Sequence, residues 1–172
     1  MTRACLAALL LLAACSSDAP ETLPKAPPLA LGSLAPAYSA RTIGGDSVSF
    51  GGTSPALTLV NVWATWCTSC REEFTDLERF RNEHEAAGLR IVAVSVDQGG
   101  EEKVRKFAAA PGGRCPVVHE HEARISRLYG VVGLPSTYLI GRDGRVRWVL
   151  TGSFLEKRAE FDSVIRAELA HK

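Results

Sequence analysis

Beyond residue 31 the chain alternates between short, almost continuous apolar runs and longer stretches with apolar residues three or four apart. Residues 57–63 read LTLVNVW and residues 89–96 read LRIVAVSV, each the pattern of a strand buried on both faces. Between them Phe74, Leu77 and Phe80 recur at helical spacing, with Glu72, Glu73, Glu78 and Arg79 interleaved. That predicts an amphipathic helix from about Cys67, stopped at Gly88. A helix is expected over 101–110, ended by Pro111-Gly112-Gly113, then a short strand over 116–119 and a short helix over 122–129 before Gly130. Asp143-Gly144 marks a hairpin turn between strands at 137–140 and 146–150. Gly44-Gly45-Asp46 marks an earlier hairpin within 38–50. Residues 154–169 form a closing amphipathic helix in this reading. The order is hairpin, β-α-β-α-β-α, hairpin, helix. It predicts an α/β domain with a central mixed sheet flanked by helices on both faces.

The first 30 residues follow neither pattern. Arg3 precedes an apolar run over residues 4–14 that is too short to span a bilayer, the layout of a secretory signal peptide. Its end, Leu12-Ala13-Ala14-Cys15, resembles the bacterial lipoprotein box, which implies cleavage after residue 14 and lipidation of Cys15. Several acyl chains, at about 0.8 kcal/mol per buried CH₂, would hold the protein at a membrane. Ser16 in place of an aspartate leans toward the outer membrane, a sorting signal that varies between lineages. Residues 15–30 carry Pro20, Pro24, Pro27 and Pro28 without apolar periodicity. They read as an extended tether reaching roughly 45 Å at about 3.1 Å per residue. The expected organisation is signal peptide 1–14, lipidated cysteine and tether 15–30, and a folded domain 31–172.

Composition narrows the function. Lysine plus arginine number 20 and aspartate plus glutamate 19, for a net charge of +1, so the basic footprint of a nucleic-acid binder is missing. At 46% hydrophobic and 23% charged residues, the 172-residue chain is not a disordered one. A single domain of this size buries a core without needing disulfides, so its five cysteines ask for another explanation.

Two of them stand in Trp66-Cys67-Thr68-Ser69-Cys70, where a buried strand turns into a helix. Spacing i, i+3 in a first helical turn brings both sulfurs within bonding reach. Unpaired N–H groups and the helix dipole there stabilise a thiolate. Cys67, nearer the N-terminus and more exposed, is expected to be the nucleophile, and Cys70 the resolving thiol. Half of a zinc site is a weaker reading, because no second Cys-x-x-Cys accompanies it. A purely structural disulfide closing so small a loop would constrain the unfolded chain little.

The stretch Asn61-Val62-Trp63-Ala64-Thr65-Trp66-Cys67-Thr68-Ser69-Cys70-Arg71-Glu72-Glu73-Phe74 resembles the active-site signature of the thioredoxin superfamily. More narrowly, it resembles the TlpA/ResA-type extracytoplasmic thiol–disulfide oxidoreductases. The similarity runs from about Leu31 to about Leu169. It includes Leu34-Ala35-Pro36, residues 94–97, Tyr129-Gly130-Val131, and Gly133-Leu134-Pro135-Ser136-Thr137 with the residues to Gly144. It implies a thioredoxin-like fold with an N-terminal β-hairpin extension. It implies a cis bond before Pro135, facing a Cys67–Cys70 disulfide. The exposed backbone of Leu134 would then pair with an extended substrate, as in strand addition. A glutamate at the position of Glu73 assists proton transfer in ResA-like proteins, which a carboxylate of raised pKa could do. Trp66 is expected either to cover the disulfide and shape the docking surface or to serve in packing. Many relatives have a proline where this chain has Thr75, which leaves the geometry around Cys70 open.

The resemblance implies reduction of protein disulfides outside the cytoplasm, with cytochrome c maturation as one such task. It implies a membrane thiol electron donor and no soluble cofactor; a monomer is expected. Once Cys67 pairs with Cys70, Cys115 is odd and is expected to be a free or partly buried thiol. His119 and His121 with Cys115 could suggest copper, but copper-delivery relatives of this fold space their cysteines differently. Arg142, Arg145 and Arg147 read as a solvated edge that discourages strand pairing between molecules. The rival functions are a thioredoxin-fold peroxidase and a non-enzymatic copper-binding or assembly lipoprotein.

Overall fold

The computed structural model describes residues 25–109 and 113–170. The signal peptide, Cys15, the tether up to residue 24 and the helix stop at Pro111-Gly112 lie outside the described residues. The strands are β1 (Tyr38–Arg41), β2 (Ser47–Phe50), β3 (Leu57–Trp63), β4 (Leu89–Ser95), β5 (Val117–His119), β6 (Ser136–Ile140) and β7 (Val146–Thr151). The helices are α1 (Thr68–His84), α2 (Glu101–Ala108), α3 (Arg124–Leu128) and α4 (Arg158–Ala170). β1 and β2 form an antiparallel hairpin. The other strands make one mixed sheet in the order β5-β4-β3-β6-β7. Its β5, β4 and β3 run parallel, and β6 and β7 are antiparallel to their neighbours.

β3 shows why the central strand is apolar at nearly every position. Leu57, Leu59 and Trp63 enter one cluster with Phe74, Leu77 and Phe80 of α1, Val104 of α2, and Phe161 and Ile165 of α4. Val60 and Val62 enter a second cluster with Ile125 of α3 and with Tyr38, Val48 and Phe50 of the hairpin. Alternation along a pleated strand sends successive side chains to opposite faces, and both faces are covered here. The coverage is unequal: three helices on one face, the hairpin and the five-residue α3 on the other.

Three boundaries differ from the sequence pattern for local reasons. Helix α3 begins at Arg124 rather than at 122 because Ala123 is left-handed (φ 54°) and cannot continue a helix backwards. The closing helix is split. Phe154–Lys157 form a 3₁₀ turn capped by Ser153, and α4 follows. Residues 25–30, read as the end of a tether, lie against the domain. Ala26 N–H donates to the Arg127 carbonyl (2.9 Å), and Lys25 Nζ donates to the Val131 carbonyl (2.5 Å). Gly130, at φ +62°, admits the Pro27 carbonyl where a Cβ would collide with it.

The arginines around the β6–β7 turn are tied into the fold rather than only solvated. Arg147 meets Asp143 (2.8 Å) and Glu168 (3.0 Å), and Arg145 donates to the Gly32 carbonyl (2.9 Å). Helix α1 runs through Thr75 to His84, ending in a short 3₁₀ turn and then Gly88 at φ +103°.

Candidate active site

The site grows out of the C-terminal end of β3. Val96 N–H donates to the Trp63 carbonyl (2.9 Å), which keeps the ends of β3 and β4 together. The chain then turns: Cys67 N–H donates to the Ala64 carbonyl (3.1 Å). Thr65, inside that turn, is held by the carboxylate of Asp97, through its N–H (2.9 Å) and its hydroxyl (2.6 Å). Cys67 follows in extended conformation (φ −85°, ψ 111°) as the N-cap of α1, its sulfur accepting from Cys70 N–H (3.3 Å). Ser69 Oγ lies 3.6 Å from the same sulfur.

Cys67 and Cys70 form a disulfide (S–S 2.07 Å). Cys67 is 8% exposed and Cys70 only 1%. A substrate reaching this end of the sheet meets Cys67 first. A thiolate on Cys67 would face the N–H groups of the first helical turn, the environment that lowers a thiol pKa. The buried Cys70 is placed to resolve what Cys67 captures. Beneath the pair, Trp63 packs against Phe74 and Phe107, with ring centroids 5.0 and 4.9 Å away.

The peptide bond between Leu134 and Pro135 is cis. The β3–β6 register pairs Val62 with Ser136, so Pro135 sits beside Trp63, at the same end of the sheet as the cysteines. Pro135 is buried, and its carbonyl accepts from Gly152 N–H (2.8 Å). Leu134 is half-buried and touches both core clusters. Trp66, 68% exposed, and Val132, 65% exposed, supply open apolar surface.

Glu73 is fully buried one turn beyond Cys70 on the same helix face. Asn61 donates to one of its oxygens (2.8 Å); Ser153 Oγ (2.9 Å) and Phe154 N–H (3.1 Å) donate to the other. Asn61 also donates to Thr137 Oγ1 (3.0 Å), joining β3 to β6 two residues past Pro135. Burial raises the Glu73 pKa; the hydrogen bonds from Ser153, Asn61 and Phe154 pull the other way without cancelling it. Asp97 shows the opposite balance. Burial would raise it, but hydrogen bonds from Ser95 and Thr65 outweigh that and hold it below the usual carboxylate range.

Sequence reasoning named Cys67, Cys70, Glu73, Trp66, Leu134 and Pro135, and the fold brings all six to one end of the sheet. It passed over Ser153, and it treated Asn61, Thr65 and Asp97 only as parts of a resemblance. Asn61 carried a signal, as the one amide inside an otherwise apolar strand run. Ser153 carried a weaker one, as a hydroxyl directly before a helical segment.

The leftover residues separate from this site. Cys115 is free and buried. Its N–H donates to Glu78 (2.7 Å), and its thiol pKa is pushed far up, by burial first and by the Glu78 charge next. The His119 ring lies 3.0 Å from the Asp97 carbonyl and 5.8 Å from the His121 ring. Among the described residues, no group of three or more His, Cys, Asp or Glu side chains is placed to hold a metal ion.

The chain is similar to known proteins. Residues 31–149 match the AhpC/TSA family. The chain is 32% identical over 127 residues to the thiol-disulfide oxidoreductase ResA of Bacillus subtilis (strain 168), covering 73% of this chain and 69% of that protein. It is 30% identical over 131 residues to the thioredoxin-like protein YneN of the same organism, covering 75% and 76%. A crystal structure of a thiol:disulfide interchange protein of the thioredoxin family from Chlorobium tepidum TLS superposes with a TM-score of 0.68 at 26% identity, covering 81% of this chain and 98% of that one. With a thioredoxin-like fold, a Cys67–Cys70 disulfide at a helix N-cap and these relatives, the chain belongs to the AhpC/TSA family and is a thiol–disulfide oxidoreductase.

Proposed function

We propose that the protein is a lipid-anchored reductase of protein disulfides in the bacterial cell envelope, with its domain outside the cytoplasm. Residues 1–14 direct export, Cys15 carries the lipid, and the tether holds the domain at the membrane. The observation that carries the direction of attack is the contrast between Cys67, at the helix N-cap and 8% exposed, and Cys70, one turn deeper and 1% exposed.

In the cycle the Cys67 thiolate attacks one sulfur of a substrate disulfide. That S–S bond breaks, a mixed disulfide forms, and the departing substrate thiolate takes a proton. Cys70 gives its proton to the Glu73 carboxylate and attacks the Cys67 sulfur. The mixed S–S bond breaks, and the second substrate sulfur leaves with the proton from Glu73. The protein ends as the Cys67–Cys70 disulfide, and the substrate has gained two electrons and two protons. Leu134 and Pro135 align the substrate strand, and Trp66 with Val132 offers apolar contact. A dithiol donor in the membrane returns two electrons and two protons. The protein acts as a monomer, and substrates of cytochrome c maturation fit this scheme.

A Cys70→Ser variant tests the reading. It should accumulate mixed disulfides on Cys67 with envelope proteins, and Cys67→Ser should accumulate none. Rapid peroxide consumption needing Cys67 alone would instead make the protein a peroxidase. Stoichiometric copper binding without thiol exchange would make it a metal-binding module. Mass spectrometry of the protein from membranes should find a diacylated or triacylated Cys15 at the N-terminus.

A further inference from the structure

We infer that Thr65 and Asp97 form a positioning clamp that keeps Cys67 at the N-cap of α1 when the disulfide is open. The inference rests on how the turn from 64 to 67 is held. In the oxidised protein the Cys67–Cys70 bond itself ties Cys67 to the first turn of the helix. On reduction that covalent tie is gone. What remains are two backbone hydrogen bonds, from Cys67 N–H to the Ala64 carbonyl (3.1 Å) and from Arg71 N–H to the Cys67 carbonyl (3.2 Å), and the side-chain grip of Asp97 on Thr65.

That grip has a firm base. Asp97 is 4% exposed and lies just past the end of β4. Besides its two bonds from Thr65, it accepts from the Ser95 hydroxyl (2.7 Å). Its own N–H donates back to Ser95 Oγ (3.3 Å). Its carbonyl faces the His119 ring at 3.0 Å, which ties in the end of β5. An ionised, buried acceptor makes stronger hydrogen bonds than a neutral one. Asp97 therefore couples the ends of β4 and β5 to the turn that delivers Cys67. Neither Asp97 nor Thr65 is assigned contact with substrate. Both act through the position of the sulfur, which decides how well the helix N–H groups stabilise its thiolate.

The test is the pH profile of Cys67 alkylation in the reduced full-length protein, read residue by residue by peptide mass spectrometry. It does not require the protein to be a reductase, so it stands apart from the proposal on electron flow. Thr65→Val removes the hydroxyl donor and leaves every charge in place. Well below the parent's Cys67 pKa, alkylation of Cys67 should slow by about three- to tenfold, the fall in thiolate fraction that a thiol pKa raised by about half to one unit produces there. At about pH 10, where the thiol is ionised in both proteins, the rates should agree. Thr65→Ser, which keeps the donor, should restore the parent profile. In an Asp97→Ala background the Thr65→Val change should add nothing, since its acceptor is gone. An unchanged Thr65→Val profile overturns the inference. So does an equal loss at every pH, or an undiminished effect in the Asp97→Ala background. If Asp97→Ala fails to fold, the Val and Ser variants at position 65 decide the matter by themselves.

Discussion

Two cysteine sites lie on the same helical face of the sheet and belong to the same core cluster, yet they are chemically unlike. Cys67 caps a helix N-terminus, where backbone N–H groups favour a thiolate. Cys115, equally close to fully buried at 8% exposure, has the Glu78 carboxylate as its nearest charged neighbour. Each site has a buried glutamate of α1 in its neighbourhood, Glu73 one turn beyond Cys70 and Glu78 against Cys115, and the hydrogen bonding of the two acids separates them. Glu78 uses one oxygen to accept the backbone N–H groups of Arg114 and Cys115, so its charge is fixed beside the thiol. Glu73 turns its oxygens to Asn61, Ser153 and Phe154, and burial keeps its pKa up, so it can hold a proton for a neighbour. Between Cys67 and Cys115, which are equally exposed, reactivity follows from the backbone groups and the charge that face each sulfur.

The comparison breaks most sharply at the cysteines themselves. Cys67→Ser should reduce insulin-disulfide reduction by about a thousandfold or more, the scale on which loss of an activated nucleophile acts. Cys115→Ser should stay within about twofold of the parent, because the thiol is held protonated and takes no part in the proposed cycle. A large loss from Cys115→Ser would erase the distinction between the two sites.

Glu73 comes next. Glu73→Gln should lower insulin reduction at pH 7 by about ten- to a hundredfold, at or below the lower end of what a positioned proton carrier contributes. Its pKa also sets a stability signature. A carboxyl raised on folding favours the native state in its protonated form. Its contribution is fully present below the ordinary glutamate range and is lost as pH rises through the raised value. The Tm of the parent relative to Glu73→Gln should therefore fall as pH is taken from 4 to 8. A constant or rising difference would contradict the raised pKa.

The smallest expected effect sharpens the other side. Glu78→Gln removes the charge beside Cys115 while keeping an acceptor for Arg114 and Cys115 N–H. Cys115 alkylation at alkaline pH should rise by about tenfold or less, through a lowered thiol pKa, while the Cys67 profile stays unchanged. A parallel change at Cys67 would mean that the two sites are electrostatically coupled.

Much of this was legible along the chain because it depends on neighbours in sequence. The two buried strands, the helix that begins at the Cys-x-x-Cys and the hairpin at Asp143-Gly144 are local patterns, and each formed where its pattern lies. The cysteine pair was legible for the same reason. Glu73, like Glu72, is one of the polar residues interleaved with Phe74, Leu77 and Phe80, and the sequence left its burial open; the fold exposes Glu72 and buries Glu73. The partners that set its chemistry were not legible. Asn61 lies 12 residues from Glu73 and Ser153 lies 80 residues away, brought together only by the sheet order and the turn after β7. Thr65 and Asp97, 32 residues apart, meet because β3 and β4 pair in parallel and end together. The residues near 25–30 looked like linker because prolines lack periodicity. Their docking depends on Gly130, a contact partner 103 residues from Pro27 whose small size is meaningful only in three dimensions.

The most direct test of the account is the reduction potential of the Cys67–Cys70 pair, measured by equilibrating the protein against glutathione and dithiothreitol. A reductant that depends on a dedicated donor should stand near or below about −250 mV, beside thioredoxin. A value of about −120 to −180 mV, the range of known oxidants and isomerases, would contradict the proposed direction of electron flow.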